Sequence, residues 1–138
     1  MLRLNTQGLP KVFLHPEAVG DRGAEAFLYI PESRHSASSL RRPSNSERVR
    51  KVVCQVKPLD EILAEIGQPV DLVKFDIESV EYEVFAASRL VHQVEWIVGE
   101  LKGSSPEVER LIALFPEHFI EVLRNPPNVA YVFLKRER

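Results

Sequence analysis

The chain has 138 residues, a length that favours one domain with a single hydrophobic core. Hydrophobic residues make up 44% of the sequence and charged residues 28%, which is typical of a globular domain and excludes a disordered chain. The net charge of -2 excludes a general electrostatic attraction to nucleic acid or to an anionic membrane, so we expect neither as a partner.

The cysteine content and the hydropathy pattern limit where the protein is expected to work. Cys54 is the only cysteine, which excludes an internal disulfide and gives no sign of an oxidising compartment. No apolar run reaches the ~20 residues of a membrane span, and the first ten residues lack the apolar core of a signal peptide. We therefore expect a cytoplasmic protein.

The first part of the chain predicts strands and a long loop. The apolar run at residues 12–14 precedes a segment with glycines and a proline, which predicts a strand that leads into a turn. Residues 26–30 and 49–56 are rich in β-branched and aromatic side chains, and we expect these two strands to pair. Residues 32–48 are rich in Ser, Arg and Pro without periodicity, which predicts a mobile surface loop.

A helix and a buried strand follow. Residues 59–66 carry leucine and isoleucine at helical spacing, with Pro58 before them and Gly67 after them, which predicts a short amphipathic helix. Residues 70–75 form a mostly apolar strand of the kind buried on both faces of a parallel sheet, and Lys74 interrupts it.

The strand and helix pattern then repeats. Apolar residues at helical spacing follow Glu78, so that Glu81 and Glu83 are expected to face water. Residues 94–101 predict the next strand, and Ser105 before a proline is a suitable cap for the helix after it.

The carboxyl-terminal part predicts a hairpin. Residues 119–123 and 129–134 read as strands joined by the short connection R-N-P-P-N, which favours an antiparallel pair. The alternation of strands and helices predicts one α/β domain over residues 1–138, with a mixed sheet that ends in this antiparallel hairpin.

Charged residues mark the end of the buried strand. Lys74, Asp76 and Glu78 share one side of the extended segment, because strand side chains alternate with period two. In open α/β sheets ligands bind beyond the carboxyl ends of the strands. There Asp76 and Glu78 can accept hydrogen bonds from a cofactor or substrate, hold a cation or take a proton. The alternative is an exposed edge strand on which Lys74 balances the two acids.

Two further residues are candidates for the same site. Glu100 ends the next strand, and neighbouring parallel strands bring their carboxyl ends together, so we expect it near Asp76 and Glu78. Lys102 follows closely and can neutralise Glu100, whose alternative is a surface carboxylate. His15 follows the first predicted strand, where a packed or hydrogen-bonded histidine is the simpler interpretation.

Metal-ligand spacing is weak in this sequence. No H-x-x-x-H pattern is present, and we predict no metal site. Oxygen ligands suit Mg²⁺, so Asp76, Glu78 and Glu81 leave a small metal-dependent hydrolase open as a separate hypothesis.

The order of these segments resembles the FkbM-type family of S-adenosylmethionine-dependent methyltransferases. The family has a strand that ends in K-x-D-x-E-G-x-E, preceded by L-D-x-L-L, and K-F-D-I-E-S-V-E and L-D-E-I-L correspond here. E-A-V-G-D-R-G-A-E-A-F-L-Y-I-P, S-A-S-S-L and W-I-V-G-E-L are also similar to family segments. Together they cover most of residues 12–134, and several ordered segments are more specific than any one of them.

The resemblance implies an activity and a set of site residues. It implies an O-methyltransferase with S-adenosyl-L-methionine as cofactor and a hydroxyl of a small molecule or glycan as acceptor. It implies that Asp76, Glu78 and Glu100 are catalytic residues, and that Asp76 and His15 lie on the cofactor side.

Two departures from the family pattern shape this expectation. Ser79 stands where the family usually has glycine, the residue that reaches φ > 0 most freely. The family's glycine-rich cofactor turn would lie before residue 11, and the sequence contains no G-x-G pattern. We therefore expect an incomplete, Rossmann-like methyltransferase domain, truncated at its amino-terminal side or forming one part of a split enzyme.

An incomplete domain would expose sheet edges that need a cover. A homo-oligomer or a complementing chain would supply it. The alternative function is a non-enzymatic, methyltransferase-like remnant that acts as an interaction or assembly module.

Overall fold

Strands and helices alternate along the chain, as the sequence predicts. The structure, a computed structural model, describes residues 5–32, 38–42, 48–125 and 129–137. The strands are β1 (Ala18–Gly20), β2 (Ala24–Pro31), β3 (Val49–Pro58), β4 (Leu72–Phe75), β5 (Trp96–Lys102), β6 (His118–Asn125) and β7 (Val129–Arg136). The helices are α1 (Leu59–Ile66), α2 (Glu81–Ala87) and α3 (Ser105–Ile112), and a 3-10 turn covers Leu90–Gln93. None of the helices in these ranges is long and apolar enough to cross a membrane.

The strands form two sheets. The first has the order β1-β3-β2, with β1 parallel and β2 antiparallel to β3. The second has the order β4-β5-β7-β6, with β4 parallel to β5 and β7 antiparallel to both of its neighbours. The α/β class, the mixed strand directions, the pairing of residues 26–30 with 49–56 and the carboxyl-terminal hairpin are therefore confirmed.

The prediction of a strand at residues 12–14 is wrong. No strand forms there, and the Phe13 side chain is 84% exposed. The first strand begins at Ala18 and pairs with β3. Three apolar residues just before Pro16 are too few to define a buried strand face, and proline cannot donate a ladder hydrogen bond.

The loop predicted at residues 32–48 is described only in part. Residues 33–37 and 43–47 lie outside the described residues. Between these two segments, the backbone of Ser39 pairs with that of Tyr29 on β2, with nitrogen-to-oxygen distances of 2.8 and 3.1 Å. Residues 38–42 are thus attached to the three-stranded sheet.

The predicted helix α1 is confirmed, and α3 differs by one residue at its cap. Gly67 ends α1 in the left-handed conformation, with φ 68°. The cap of α3 is Ser104 rather than Ser105, and it forms a capping box with Glu107. The Ser104 N–H donates to Glu107 Oε2 at 2.6 Å. The spacing S-x-x-E selects Ser104, because only that serine has a glutamate three residues later.

The hydrophobic core covers one face of the four-stranded sheet. The rings of Phe75 on β4 and Phe85 on α2 meet edge to face at 5.1 Å, and Phe85 meets Phe115 at 5.7 Å. Large aliphatic side chains from β5, β7, α2 and α3 complete this core, namely Val84, Ile97, Val108, Leu111, Val132 and Leu134. The packing fixes β4 and β5 relative to α2, the three elements that carry the candidate site.

The opposite face of the same sheet is open. It presents large apolar side chains that are 38 to 61% exposed, and we call this the bare face: Leu72, Trp96, Phe119, Leu123, Tyr131 and Phe133. Among the described residues β4 also has no strand on its other side, since the sheet order begins with it. Within the described ranges, the second sheet therefore has helices on one face only and a free edge at β4.

Asp60 in α1 holds the segment that follows α2. Its carboxylate accepts hydrogen bonds from the Ser88 hydroxyl and from the backbone N–H groups of Arg89 and Leu90, the last two at 3.0 Å. Partial burial alone would raise the pKa of Asp60, but these hydrogen bonds outweigh it and hold the pKa below its ordinary value of 3.8. Asp60 thus joins α1 to the 3-10 turn.

We predict that Asp60→Asn lowers the free energy of unfolding by roughly 1–3 kcal/mol at neutral pH, because charge-assisted hydrogen bonds are lost. A carboxyl whose pKa is lower in the folded state stabilises the fold above its unfolded pKa, and this stability is lost as pH falls through the folded pKa. The difference between wild type and variant should therefore shrink below pH 3.8. Urea unfolding at several pH values measures it, with Glu61→Gln, on the same helix, as the control. A pH-independent difference would contradict the assignment.

Candidate functional site

The carboxyl ends of β4 and β5 lie side by side because of one glycine. Gly99 on β5 is the partner of Phe75 on β4. A Cβ atom at Gly99 would lie 2.6 Å from ring atoms of Phe75, so any other residue would force the two strands apart. Asp76 follows β4 directly and Glu100 follows Gly99, which brings the two strand ends and their acids to one edge of the sheet.

A lysine joins the acids into what we call the acid-lysine cluster, Asp76, Glu78, Glu100 and Lys102. Lys102 Nζ lies 2.5 Å from Glu78 Oε1 and 3.7 Å from Glu100 Oε1. Partial burial lowers the pKa of Lys102, but the hydrogen bond and charge of Glu78, with the charges of Glu100 and Asp76, leave it above its ordinary value of 10.5. The structure thus brings Glu78 and Glu100 together, as the strand order predicts.

The lysine that lies beside the acids is not Lys74, the residue that the edge-strand alternative requires. Lys74 is exposed on β4 and forms no ion pair with Asp76 or Glu78. The period-two pattern of Lys74, Asp76 and Glu78 does not continue as a strand, because β4 ends at Phe75. Lys102, at the end of β5, takes the place beside Glu78 instead.

The chain turns sharply between β4 and α2. Glu78 has φ 55° and Ser79 has φ 74°, both in the left-handed region. Ser79 therefore adopts positive φ at the position where the family pattern has glycine. Left-handed conformations cost about 1–3 kcal/mol for residues other than glycine, so neighbouring contacts must hold them.

Two side chains make those contacts. The Ser39 hydroxyl donates to the Glu78 carbonyl oxygen at 2.6 Å, and the Ser79 N–H donates to Glu81 Oε1 at 3.1 Å. Arg41 forms an ion pair with Glu83 nearby. Residues 38–42 therefore attach the turn to the three-stranded sheet, a contact across 39 residues of sequence that local patterns could not reveal.

The prediction that Glu81 faces water is wrong. Glu81 is only 5% exposed. Burial raises the pKa of the Glu81 carboxyl above its ordinary value of 4.5, while hydrogen bonds from backbone N–H groups at Glu81, Ser79 and Ile77 offset part of the rise. A glutamate in the first turn of a helix can fold back onto the preceding turn, and helical periodicity does not show this.

The metal-dependent hydrolase hypothesis gains no support from this arrangement. Glu81 is engaged with the backbone, and Glu78 with Lys102. Within the described ranges, no group of three or more His, Cys, Asp or Glu side chains is arranged to hold a metal ion.

The ion-pair contacts of His15 are with glutamates outside the acid-lysine cluster. Its Nδ1 atom is 3.9 Å from Glu17 Oε2 and 3.9 Å from Glu65 Oε2. Glu65 lies at the end of α1 and also pairs with Lys57 at 2.5 Å. The role of His15 on the cofactor side stays a prediction.

The acid-lysine cluster lies between two cavities. One, of about 230 Å³, opens on the bare face and is lined by Asp76, Glu100, Tyr131 and Phe133 among others. The other, of about 310 Å³, lies between α2 and α3 and includes Lys102, Ser79, Glu81 and Arg110 in its wall. A larger cavity of about 430 Å³, beside α1 and the 3-10 turn, contains none of the four cluster residues.

Comparison with known proteins identifies a family. The family model described as the methyltransferase FkbM domain matches residues 5–125. No curated protein and no solved structure matches the chain. The matched residues include the whole acid-lysine cluster and every strand up to β6.

We predict that Glu78→Gln lowers the pKa of Lys102 toward 10.5, because the hydrogen bond and the charge of Glu78 both raise it. The measurement is an NMR titration of the Lys102 side chain in protein labelled with ¹³C at lysine. Glu109→Gln, on α3, removes an exposed carboxylate outside the cluster and should leave the titration unchanged. An unchanged Lys102 pKa in Glu78→Gln would show that the pair does not form.

Proposed function

The chain belongs to the methyltransferase FkbM domain family, and on that premise we propose that it forms the acceptor side of an S-adenosylmethionine-dependent O-methyltransferase. The acceptor is a hydroxyl of a small molecule or glycan. The observation that carries the proposal is the convergence of Asp76, Glu78 and Glu100 at the carboxyl ends of two parallel strands, where α/β proteins bind ligands.

The described residues fit the cofactor only at one end. The carboxylate of Asp76, in the cavity on the bare face, suits a positive charge of S-adenosylmethionine. That cavity, at about 230 Å³, is smaller than the roughly 300–1,000 Å³ of typical ligand sites. We infer that a glycine-rich turn from a separate polypeptide segment supplies the rest of the site, so that the enzyme is split between two parts.

The acids of this chain have distinct tasks toward the acceptor. Glu78 is held by Lys102 at 2.5 Å, which fixes its direction and suits it to orient the acceptor hydroxyl. Glu100 lies 3.7 Å from the same ammonium group, beyond hydrogen-bond distance, and keeps its oxygens free to take the hydroxyl proton. Asp76, which follows β4 at the end of the sheet order, is the acid that we assign to the cofactor side.

The free edge of β4 supports a missing cofactor side. Parallel strands such as β4 and β5 normally have helices on both faces of their sheet, whereas in the described residues this mixed sheet has helices on one face. A strand added beside β4, with its helix on the bare face, would place Asp76 between the old and the new strand. Ligand crevices in doubly wound sheets form at such a position, where the connections diverge to opposite faces.

The bare face also favours a second candidate function. Six large apolar side chains exposed on one sheet face form a surface of the kind that marks protein association sites. A non-enzymatic domain that persists as an interaction or assembly module would use this surface to bind a second copy or a complementing chain.

Cofactor binding tests the split-enzyme proposal. Isothermal titration of the chain alone with S-adenosylmethionine should show no micromolar binding, because the cradle is incomplete. Binding should appear when the chain is fused to the glycine-rich part of an FkbM-family domain, and Asp76→Asn should weaken it while Glu109→Gln does not. Micromolar binding by the chain alone, or no binding by the fusion, would overturn the proposal.

Self-association tests the assembly alternative. If a second copy covers the bare face, light scattering should give a dimer, and replacing Phe119 and Leu123 together by lysine should give a monomer, because charge cannot be buried there unpaired. Phe27→Lys on β2, 50% exposed but outside the bare face, is the control and should stay dimeric. A wild-type monomer that binds no hydrophobic dye would count against this alternative.

A further inference from the structure

The peptide unit between Glu78 and Ser79 is held at both of its polar ends. Its carbonyl oxygen accepts a hydrogen bond from the Ser39 hydroxyl at 2.6 Å. Its N–H donates to the buried Glu81 carboxylate at 3.1 Å. We call this unit the clamped peptide. Because both contacts fix the same plane, rotation of that plane would break two hydrogen bonds at once.

The clamped peptide lies between the two left-handed residues. Its plane is set by ψ of Glu78 and φ of Ser79, and the latter is 74°. A non-glycine residue leaves this region readily unless its backbone partners hold it there. The left-handed turn at Glu78 and Ser79 places Glu78 beside β5, where Lys102 Nζ lies 2.5 Å from Glu78 Oε1.

We propose that Glu81 and Ser39 are positioning residues that keep the Glu78 carboxylate on Lys102 by clamping the Glu78–Ser79 peptide in its left-handed turn. Glu81 acts from the first turn of α2, and Ser39 acts from the segment bound to Tyr29 of the three-stranded sheet. The catalytic meaning of Glu78 rests on the proposed function, but the clamp itself is independent of cofactor and acceptor.

A purely structural role for Glu81 makes a different prediction. If Glu81 only stabilises the first turn of α2, its loss lowers the melting temperature without moving Glu78. If it positions Glu78, its loss also separates Glu78 from Lys102. The pKa of Lys102 distinguishes the two, because the hydrogen bond and the charge of Glu78 both raise it and both are lost when Glu78 moves away.

The test is an NMR titration of Lys102 in the full chain without any ligand. We expect Glu81→Ala and Ser39→Ala each to remove most of the upward displacement of the Lys102 pKa, bringing it close to the value in Glu78→Gln. Glu81→Gln keeps one oxygen that can accept from Ser79 N–H, and should give an intermediate value. Glu109→Ala is the control, since Glu109 is an exposed glutamate on α3 outside the clamp, and it should leave Lys102 unchanged.

A rescue variant separates positioning from damage to the fold. Glycine adopts positive φ without strain, so adding Ser79→Gly to Glu81→Gln should move the Lys102 pKa back toward the wild-type value. Lower melting temperatures with an unchanged Lys102 pKa in Glu81→Gln and Ser39→Ala would overturn the proposal. If Glu81→Ala does not fold, those two variants decide the outcome. A failure of cofactor binding would leave this result unaffected, so the two proposals can fail separately.

Discussion

The close approach of Phe75 to Gly99 is the contact on which the candidate site depends. It sets the spacing of β4 and β5 at their carboxyl ends. The same Phe75 ring packs on Phe85 of α2, so one side chain ties together the two strands and the helix that carry the acids. Because protein cores are close-packed, a change at this point would shift all three elements rather than one. The alignment of Asp76 with Glu100 is thus a property of the core.

Local sequence patterns were sufficient where one element decides its own structure. Helical spacing with Gly67 predicted α1, and β-branched runs predicted β2, β3 and the carboxyl-terminal hairpin. Patterns failed where a neighbour decides. Residues 12–14 are apolar but have no partner strand. The cap of α3 is a separate case, because the local spacing S-x-x-E indicates Ser104 while the proline after Ser105 indicates the next residue. The division into two sheets depends on pairings between distant segments, which periodicity does not encode.

In the site, too, nearby sequence predicts some residue positions, while contacts between distant segments determine the others. Strand order placed Glu100 near Glu78, and the structure brings both to Lys102. The burial of Glu81 and the contact of Ser39 with Glu78 were not predictable from the sequence. Both depend on the left-handed turn between β4 and α2, which the hydrophobic periodicity of a strand followed by a helix does not indicate. Serine in place of the family glycine at position 79 suggests that positive φ is lost, but Ser79 adopts φ 74°. The residues that hold a turn left-handed when glycine is absent are seen only in three dimensions.

The two strands of the site differ in how well their backbones are protected. β5 is paired on both sides, by β4 and β7, whereas β4 is a four-residue strand that, in the part of the chain that the structure describes, is paired on one side. Amide hydrogens on β5 should therefore exchange with solvent slowly, and those that point outward from β4 should exchange quickly. Asp76 thus directly follows the strand whose amides exchange faster, and Glu100 lies on the strand whose amides exchange more slowly. Any chain that pairs with the outer edge of β4 would slow exchange there and steady the geometry of both acids.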